Sequence, residues 1–264
     1  MNELNINKNS RLFALQINIF NPKENFEIAQ KDFKSESPSD LISYANSSNC
    51  DILALKFNIQ TIDEISSAVE LLKSFLQQIK KPLMICGTSD DEIDKLLLPE
   101  LTKNLDRKNC IIGNINDKTY KLIIPNIVQG GHYAVLKSPI DINLAKELNI
   151  LSADMGLPLD KIIMNTDIGG LGYGYEYGFS IMEKVRLEGE KGDKYLDLPL
   201  FSDASTESLR TKEAKSDDYP PSWGELDSRA KMIEVSACTG AISAGANIIV
   251  VNIPSNIQIL KELI

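Results

Sequence analysis

Apolar positions along the chain alternate between two rhythms. Short, nearly continuous apolar runs fall at Leu12–Asn18, Ile52–Asn58, Leu83–Gly87, Cys110–Asn114, Tyr133–Lys137, Ile162–Asn165, Pro199–Asp203 and Ile248–Ile253. Runs of this length with few polar interruptions are the pattern of strands buried on both faces of a parallel sheet. Between them lie longer stretches with helical spacing. The clearest is Ile62–Ile79, where Ile65, Val69, Leu72 and Leu76 share one face. Ser39–Ser48, Asp91–Leu105, Lys118–Val128, Ile142–Met155, Tyr177–Glu190, Glu225–Ala244 and Ser255–Leu263 read as the other helices. Parallel neighbours need a crossover helix, so eight strands alternating with eight helices predict an α/β chain. Units of roughly 30 residues match a closed (β/α)8 TIM barrel that uses residues 1–264 as a single domain. A doubly wound open sheet is the alternative, but it usually carries an early glycine-rich phosphate loop, and the first strand-to-helix link here has no glycine.

Charge narrows the function classes. Lys and Arg number 28 against 37 Asp and Glu, a net charge of −9, which disfavours nucleic acid and anionic membranes as partners. Val235–Leu260 lacks charged residues, yet Asn247, Asn252, Pro254, Asn256 and Gln258 would be costly in lipid, so it reads as helix, strand and helix. The amino-terminal MNELNINKNSRLF has no run resembling a signal peptide. Cys50, Cys86, Cys110 and Cys238 are widely spaced, the pattern of buried thiols in a reducing, cytoplasmic setting and not of an iron–sulfur cluster or zinc site on this chain. His132, the only histidine, stands at the start of the fifth strand, away from the usual working face, and reads as structural.

A barrel works from the carboxyl ends of its strands, which here read Asn18, Asn58, Thr88, Asn114, Ser138, Asn165, Asp203 and Asn252. This mouth is rich in amides and hydroxyls and poor in titratable groups. It suits recognition of a polar or heterocyclic ligand better than proton transfer. The plainer alternative is that asparagine simply favours strand-to-loop junctions. The lead candidate site follows the sixth strand. From Asn165 and Thr166 the chain runs through Gly169, Gly170, Leu171, Gly172, Tyr173 and Gly174 into a helix. Glycines let a ligand approach the backbone closely, and Tyr173, Tyr175 and Tyr177 offer flat surface for a large ring or a partner protein. A plain glycine turn is the alternative. Between Phe201 and Glu225 a long polar stretch holds the single tryptophan, Trp223, and reads as a loop, either solvated or an interaction surface.

These segments also carry a resemblance. Gly169–Leu187 (GGLGYGYEYGFSIMEKVRL), Gly192–Pro199 and Glu207–Ala214 resemble, in order, motifs of the small (delta) subunit of the corrinoid iron–sulfur protein, and the preceding Ser138–Pro158 resembles that family too. The resemblance is specific over Ser138–Ala214 and fainter before it. It implies a TIM-barrel subunit with no catalytic residue of its own, paired as a heterodimer with a larger subunit that holds the cobamide and the iron–sulfur cluster. The pair would carry a methyl group from a methyltetrahydrofolate methyltransferase to acetyl-CoA synthase/CO dehydrogenase. Asn165-Thr166-Asp167-Ile168 replaces the family's Asp-Pro-Thr-Thr. Three alternatives stand beside this one: a divergent paralogue in another corrinoid system, a pterin-dependent methyltransferase using Asn114, Asn165 and Asp203, or a purely structural subunit that has lost ligand contact.

Overall fold

The computed structural model describes residues 6–166 and 175–263. Its centre is a closed barrel of eight parallel strands paired in chain order. They are β1 (Leu12–Asn18), β2 (Ile52–Lys56), β3 (Leu83–Cys86), β4 (Ile111–Ile115), β5 (Tyr133–Lys137), β6 (Ile162–Asn165), β7 (Leu200–Ser202) and β8 (Ile248–Val251). Strand β8 closes onto β1 from Leu12 opposite Ile248 to Leu15 opposite Val251. The predicted barrel and all eight strands are present.

Side chains alternate along each strand, so each one serves two cores. Ala14, Ile52, Ala54, Met84, Ile111, Tyr133, Val135, Ile163, Phe201, Ile248 and Val250 form one buried cluster, the barrel interior. Their neighbours Leu15, Ile17, Leu53, Leu55, Ile85, Ile112 and Leu136 belong to the larger cluster beneath the helices. Full burial of one such Leu or Ile stabilises the fold by about 1.5–3 kcal/mol.

Helices α1 (Glu27–Phe33), α2 (Pro38–Ser47), α3 (Ile65–Phe75), α4 (Asp91–Lys103), α5 (Tyr120–Gly130), α6 (Ile142–Asp154), α7 (Tyr175–Glu190), α8 (Ala204–Arg210), α9 (Leu226–Ser243) and α10 (Asn256–Glu262) surround it. Asp90 starts α4 by accepting from the N–H groups of Glu92 and Ile93 at 2.8 and 3.2 Å, and Asp141 starts α6 in the same way. On α3 and the 3-10 turn that continues it at Leu76–Gln78, the apolar face is seated as its spacing predicts, with Leu72 and Leu76 buried and Ile65 and Val69 packed against the core.

Two helices depart from the sequence reading. α1 lies in a stretch with no assigned element, and α8 interrupts the predicted loop after β7, which also contains a 3-10 turn at Pro221–Trp223. Ser205, Thr206 and Ser208 make α8 read as polar loop, yet all three are buried. Val235–Leu260 is the end of α9, β8 and most of α10. Among the described residues no helix is long and apolar enough to cross a membrane.

Candidate functional site at the barrel mouth

The alternation that fills the barrel also selects its upper layer. Two residues beyond Ala14, Ala54, Met84, Ile111, Val135, Ile163, Phe201 and Val250 stand Gln16, Lys56, Cys86, Gly113, Lys137, Asn165, Asp203 and Asn252. A cavity of about 50 Å3 at this level is lined by Gln16, Lys56, Cys86, Gly113, Asn114, Lys137, Phe201 and Asp203, together with Asp91 and Asp94 from α4. A second, of about 210 Å3, also touches Gln16 and Lys56 and is walled by Asn18, Asn58, Thr88, Thr206 and Asn252.

The mouth is therefore more strongly charged than its sequence suggests. Lys56 and Lys137 end β2 and β5 and line the floor. The sequence reading placed the working positions at Asn58 and Ser138 instead. Period-two counting from Ile52 and Ala54, or from Tyr133 and Val135, is the signal that finds the lysines.

Most of the amides are already engaged. Asn25 Oδ1 accepts from the Asn18 N–H at 2.7 Å, and its Nδ2 donates to the Asn18 carbonyl at 3.1 Å. Asn58 and Asn18 both donate to Glu24. These asparagines hold the β1–α1 loop, as the turn-preference alternative anticipates. Gln16 Nε2 donates to Thr206 Oγ1 at 3.2 Å and Asn252 Oδ1 at 3.1 Å, while Asn252 Nδ2 donates to Ser205 Oγ at 2.7 Å.

Beneath this row Glu234, fully buried on α9, accepts from Ser205 Oγ (2.5 Å), the N–H groups of Asn252 (2.7 Å) and Ile253 (3.1 Å), and Asn256 Nδ2 (2.7 Å). Burial pushes its carboxyl pKa up and the four donors pull it back. Sequence reading missed Glu234, which looks like an ordinary helix-surface charge.

Of the proposed site residues, Asn165 Nδ2 donates to Asn114 Oδ1 at 2.8 Å, and Asn114 shares the floor cavity with Asp203. Burial raises the Asp203 carboxyl pKa above its ordinary range, and a Thr206 hydrogen bond opposes the shift. Thr166 is fully buried next to Asn165. Gly169, Gly170, Leu171, Gly172, Tyr173 and Gly174 lie outside the described residues. Tyr175 is half-buried; its ring stands where a Cβ on Gly240 of α9 would be, 2.5 Å from Cε1, so a larger residue there would have to displace the ring. Tyr175 therefore faces the helix layer, whereas Tyr177 is exposed.

Asp94 accepts from Thr88 N–H (2.7 Å), Thr88 Oγ1 (2.9 Å) and Ser89 N–H (2.9 Å), and a Cβ on Gly87 would meet its carboxylate at 2.3 Å. All four cysteines are free and buried, as expected. Burial pushes the Cys86 thiol up to about 12, so it stays protonated and unreactive. His132 is buried at the opposite end, its Nδ1 accepting from the Cys110 N–H at 3.3 Å, which fits its structural reading.

Comparison with known proteins supplies the family. The fold is shared with dihydropteroate synthases. One from Yersinia pestis with a pterine-sulfa conjugate superposes with a TM-score of 0.64 at 11% identity, covering 99% of this chain and 96% of that one. One from Xanthomonas albilineans gives 0.62 at 12% identity, covering 98% and 94%. At these identities the likeness concerns the fold alone.

Among sequence relatives, the acetyl-CoA decarbonylase/synthase complex subunit delta of Methanocaldococcus jannaschii is 27% identical over 197 residues, covering 74% of this chain and 48% of the relative. The corresponding subunit of Methanopyrus kandleri is 28% identical over 199 residues, covering 75% and 49%. The chain thus spans about half the length of these relatives. The family model of the CO dehydrogenase/acetyl-CoA synthase delta subunit matches residues 16–250, from the first strand of the barrel to the last, and the chain belongs to that family.

Proposed function

We propose that this chain is the small subunit of a corrinoid iron–sulfur protein. In this reading it covers a cobamide held by a larger partner subunit, which also carries the iron–sulfur cluster, and the two form a cytoplasmic heterodimer. The heterodimer passes a methyl group between a methyltetrahydrofolate methyltransferase and acetyl-CoA synthase/CO dehydrogenase, in the acetyl-CoA pathway of carbon fixation. The observation that carries this reading is the family match over residues 16–250.

The mouth favours a cap: among the described residues, the cavities at the floor and beside it, about 50 and 210 Å3, are small beside a corrin ring, so contact would be across the face of the barrel. The rim carries amides and hydroxyls, Asn18, Asn58, Thr88 and Asn252, that suit the amide-bearing edge of a cobamide. When bound, the cobamide supplies the methyl-carrying metal. This chain's residues exclude water from one face and hold that face in register. Gly169–Gly174, with Asn165 and Thr166 at their base, are the proposed contact segment.

Co-expression with the large subunit under anaerobic conditions tests the assembly. A one-to-one complex that survives gel filtration is expected, and two chains that elute separately would overturn the reading.

A second reading draws on the Asn165–Asn114 hydrogen bond beside Asp203. Amide and carboxyl groups so placed can pair with the edge of a pterin, which would make the chain a pterin-dependent methyltransferase. Methyl transfer from methyltetrahydrofolate to free cobalamin should then occur and fall at least about tenfold in Asp203→Ala. An unchanged rate would dispose of this site.

A further inference from the structure

We propose that the mouth of the barrel binds the oxyanion group, carboxylate or phosphate, of a small polar molecule between Lys56 and Lys137. The site is defined by the barrel mouth alone and does not depend on the chain covering a cobamide.

The two lysines project from β2 and β5 into one cavity. Both are half-buried, and among the described residues neither side chain makes a salt bridge or hydrogen bond. That is unusual company for three carboxylates. Asp91 and Asp94 have nearer partners than the two lysines. Asp91 pairs with Lys118 Nζ at 2.9 Å and accepts from Asn116 Nδ2 at 2.6 Å. Asp94 is used by the backbone and hydroxyl of its own loop. Burial raises the Asp203 carboxyl pKa, and Asp203 lies close enough to feel both lysines, which lower it against that rise. Among the described residues the two ammonium groups therefore share one small cavity with no carboxylate at salt-bridge distance, although Asp94 and Asp203 feel Lys56, and Asp91 and Asp203 feel Lys137, at longer range. An oxyanion placed there would gain two charge-assisted hydrogen bonds and relieve the repulsion between them.

The dimensions suggest which part of the ligand goes where. The floor cavity of about 50 Å3 has room for a carboxylate or phosphate head and little else. The adjoining space of about 210 Å3 shares Lys56 and is walled by the polar Asn18, Asn58, Thr88, Thr206 and Asn252, with the charged Glu24, Arg210 and Lys215 also lining it. That wall fits a compact, hydrogen-bonding body. Together the spaces fall near the low end of small-molecule sites, roughly 300 Å3.

Isothermal titration calorimetry on the whole chain, at low ionic strength, tests this with inorganic phosphate and succinate as probes. At least one should bind saturably at one site per chain. Lys56→Met and Lys137→Met should each weaken that binding by about tenfold or more, and the double variant should remove it. Lys73→Met, at an exposed position on α3, should bind as the parent does. Phosphate binding alone would assign a phosphorylated ligand, and succinate binding alone a carboxylate. Lys56→Arg and Lys137→Arg keep the charge and guard against misfolding: they should retain binding within a few-fold. No saturable binding of either probe to the folded parent, or equal binding by the parent and the methionine variants, would overturn the proposal.

Discussion

His132 is buried where its only described partner is the Cys110 N–H, which it accepts through Nδ1, so the fold needs the neutral ring. Burial, helped by the nearby Lys161 charge, lowers its pKa from 6.5 to about 4. The unfolded chain thus takes up a proton between about pH 6.5 and 4 that the folded chain refuses. Stability from this group is complete above pH 6.5 and is lost as pH falls toward 4, by about 3 kcal/mol. Urea titrations of the parent and His132→Asn across that range should show a shallower decline in the variant. Parallel curves would mean that the histidine is protonated in the fold. The residue scale also separates the lysines of the mouth from those of the surface. Lys8, Lys31 and Lys103, for example, find carboxylates within 3 Å, whereas among the described residues Lys56 and Lys137 do not. Those two were overlooked in the sequence because a lysine at the end of a strand reads as a solvated terminus. Only the inward parity set by Ile52 and Ala54, or by Tyr133 and Val135, turns it into a lining residue.

Elements are held at the mouth by a polar network that no apolar pattern reveals. Glu234 on α9 ties together Ser205 of α8, the backbone after β8 at Asn252 and Ile253, and Asn256 of α10. Glu234→Ala would leave those buried donors without an acceptor and should cost about 3–5 kcal/mol, read as a fall in the denaturant midpoint. A loss below about 1 kcal/mol would show that water replaces the carboxylate readily. The same network explains what could and could not be read from the sequence. Strands such as β8, Ile248–Val251, are continuous apolar runs because both faces are covered, so they are legible at once. α8 is illegible because its buried face is made of Ser205, Thr206 and Ser208, the first two satisfied by side chains distant in sequence and Ser208 by the Ser205 carbonyl. α1 is only seven residues long, follows an asparagine-rich turn and has no side-chain cap, so no local signal announces it. At the site, Asn165, Asp203 and Asn252 were found as strand-end residues. The roles of Asn18 and Asn58 were not, since only the folded loop shows Asn25 and Glu24 beside them.

At the scale of the whole molecule, the barrel is closed and ordinary, and what distinguishes it is the face it presents. Residues 16–250 match the delta-subunit family across the entire barrel, so the match concerns the whole architecture and not one motif. The small cavities of that face and its amide rim accord with a subunit that meets a large cofactor from above, while the lysine pair marks a separate, smaller guest. The chain's net charge of −9 favours protein and small-molecule partners over nucleic acid. The most direct test of the central claim is the ultraviolet–visible spectrum of the cobamide-loaded large subunit, recorded anaerobically with and without this chain. Covering the cobamide predicts a saturable change in the corrinoid bands at one equivalent of added chain. A corrinoid spectrum unchanged at full equivalence, in a complex shown to form, would contradict it.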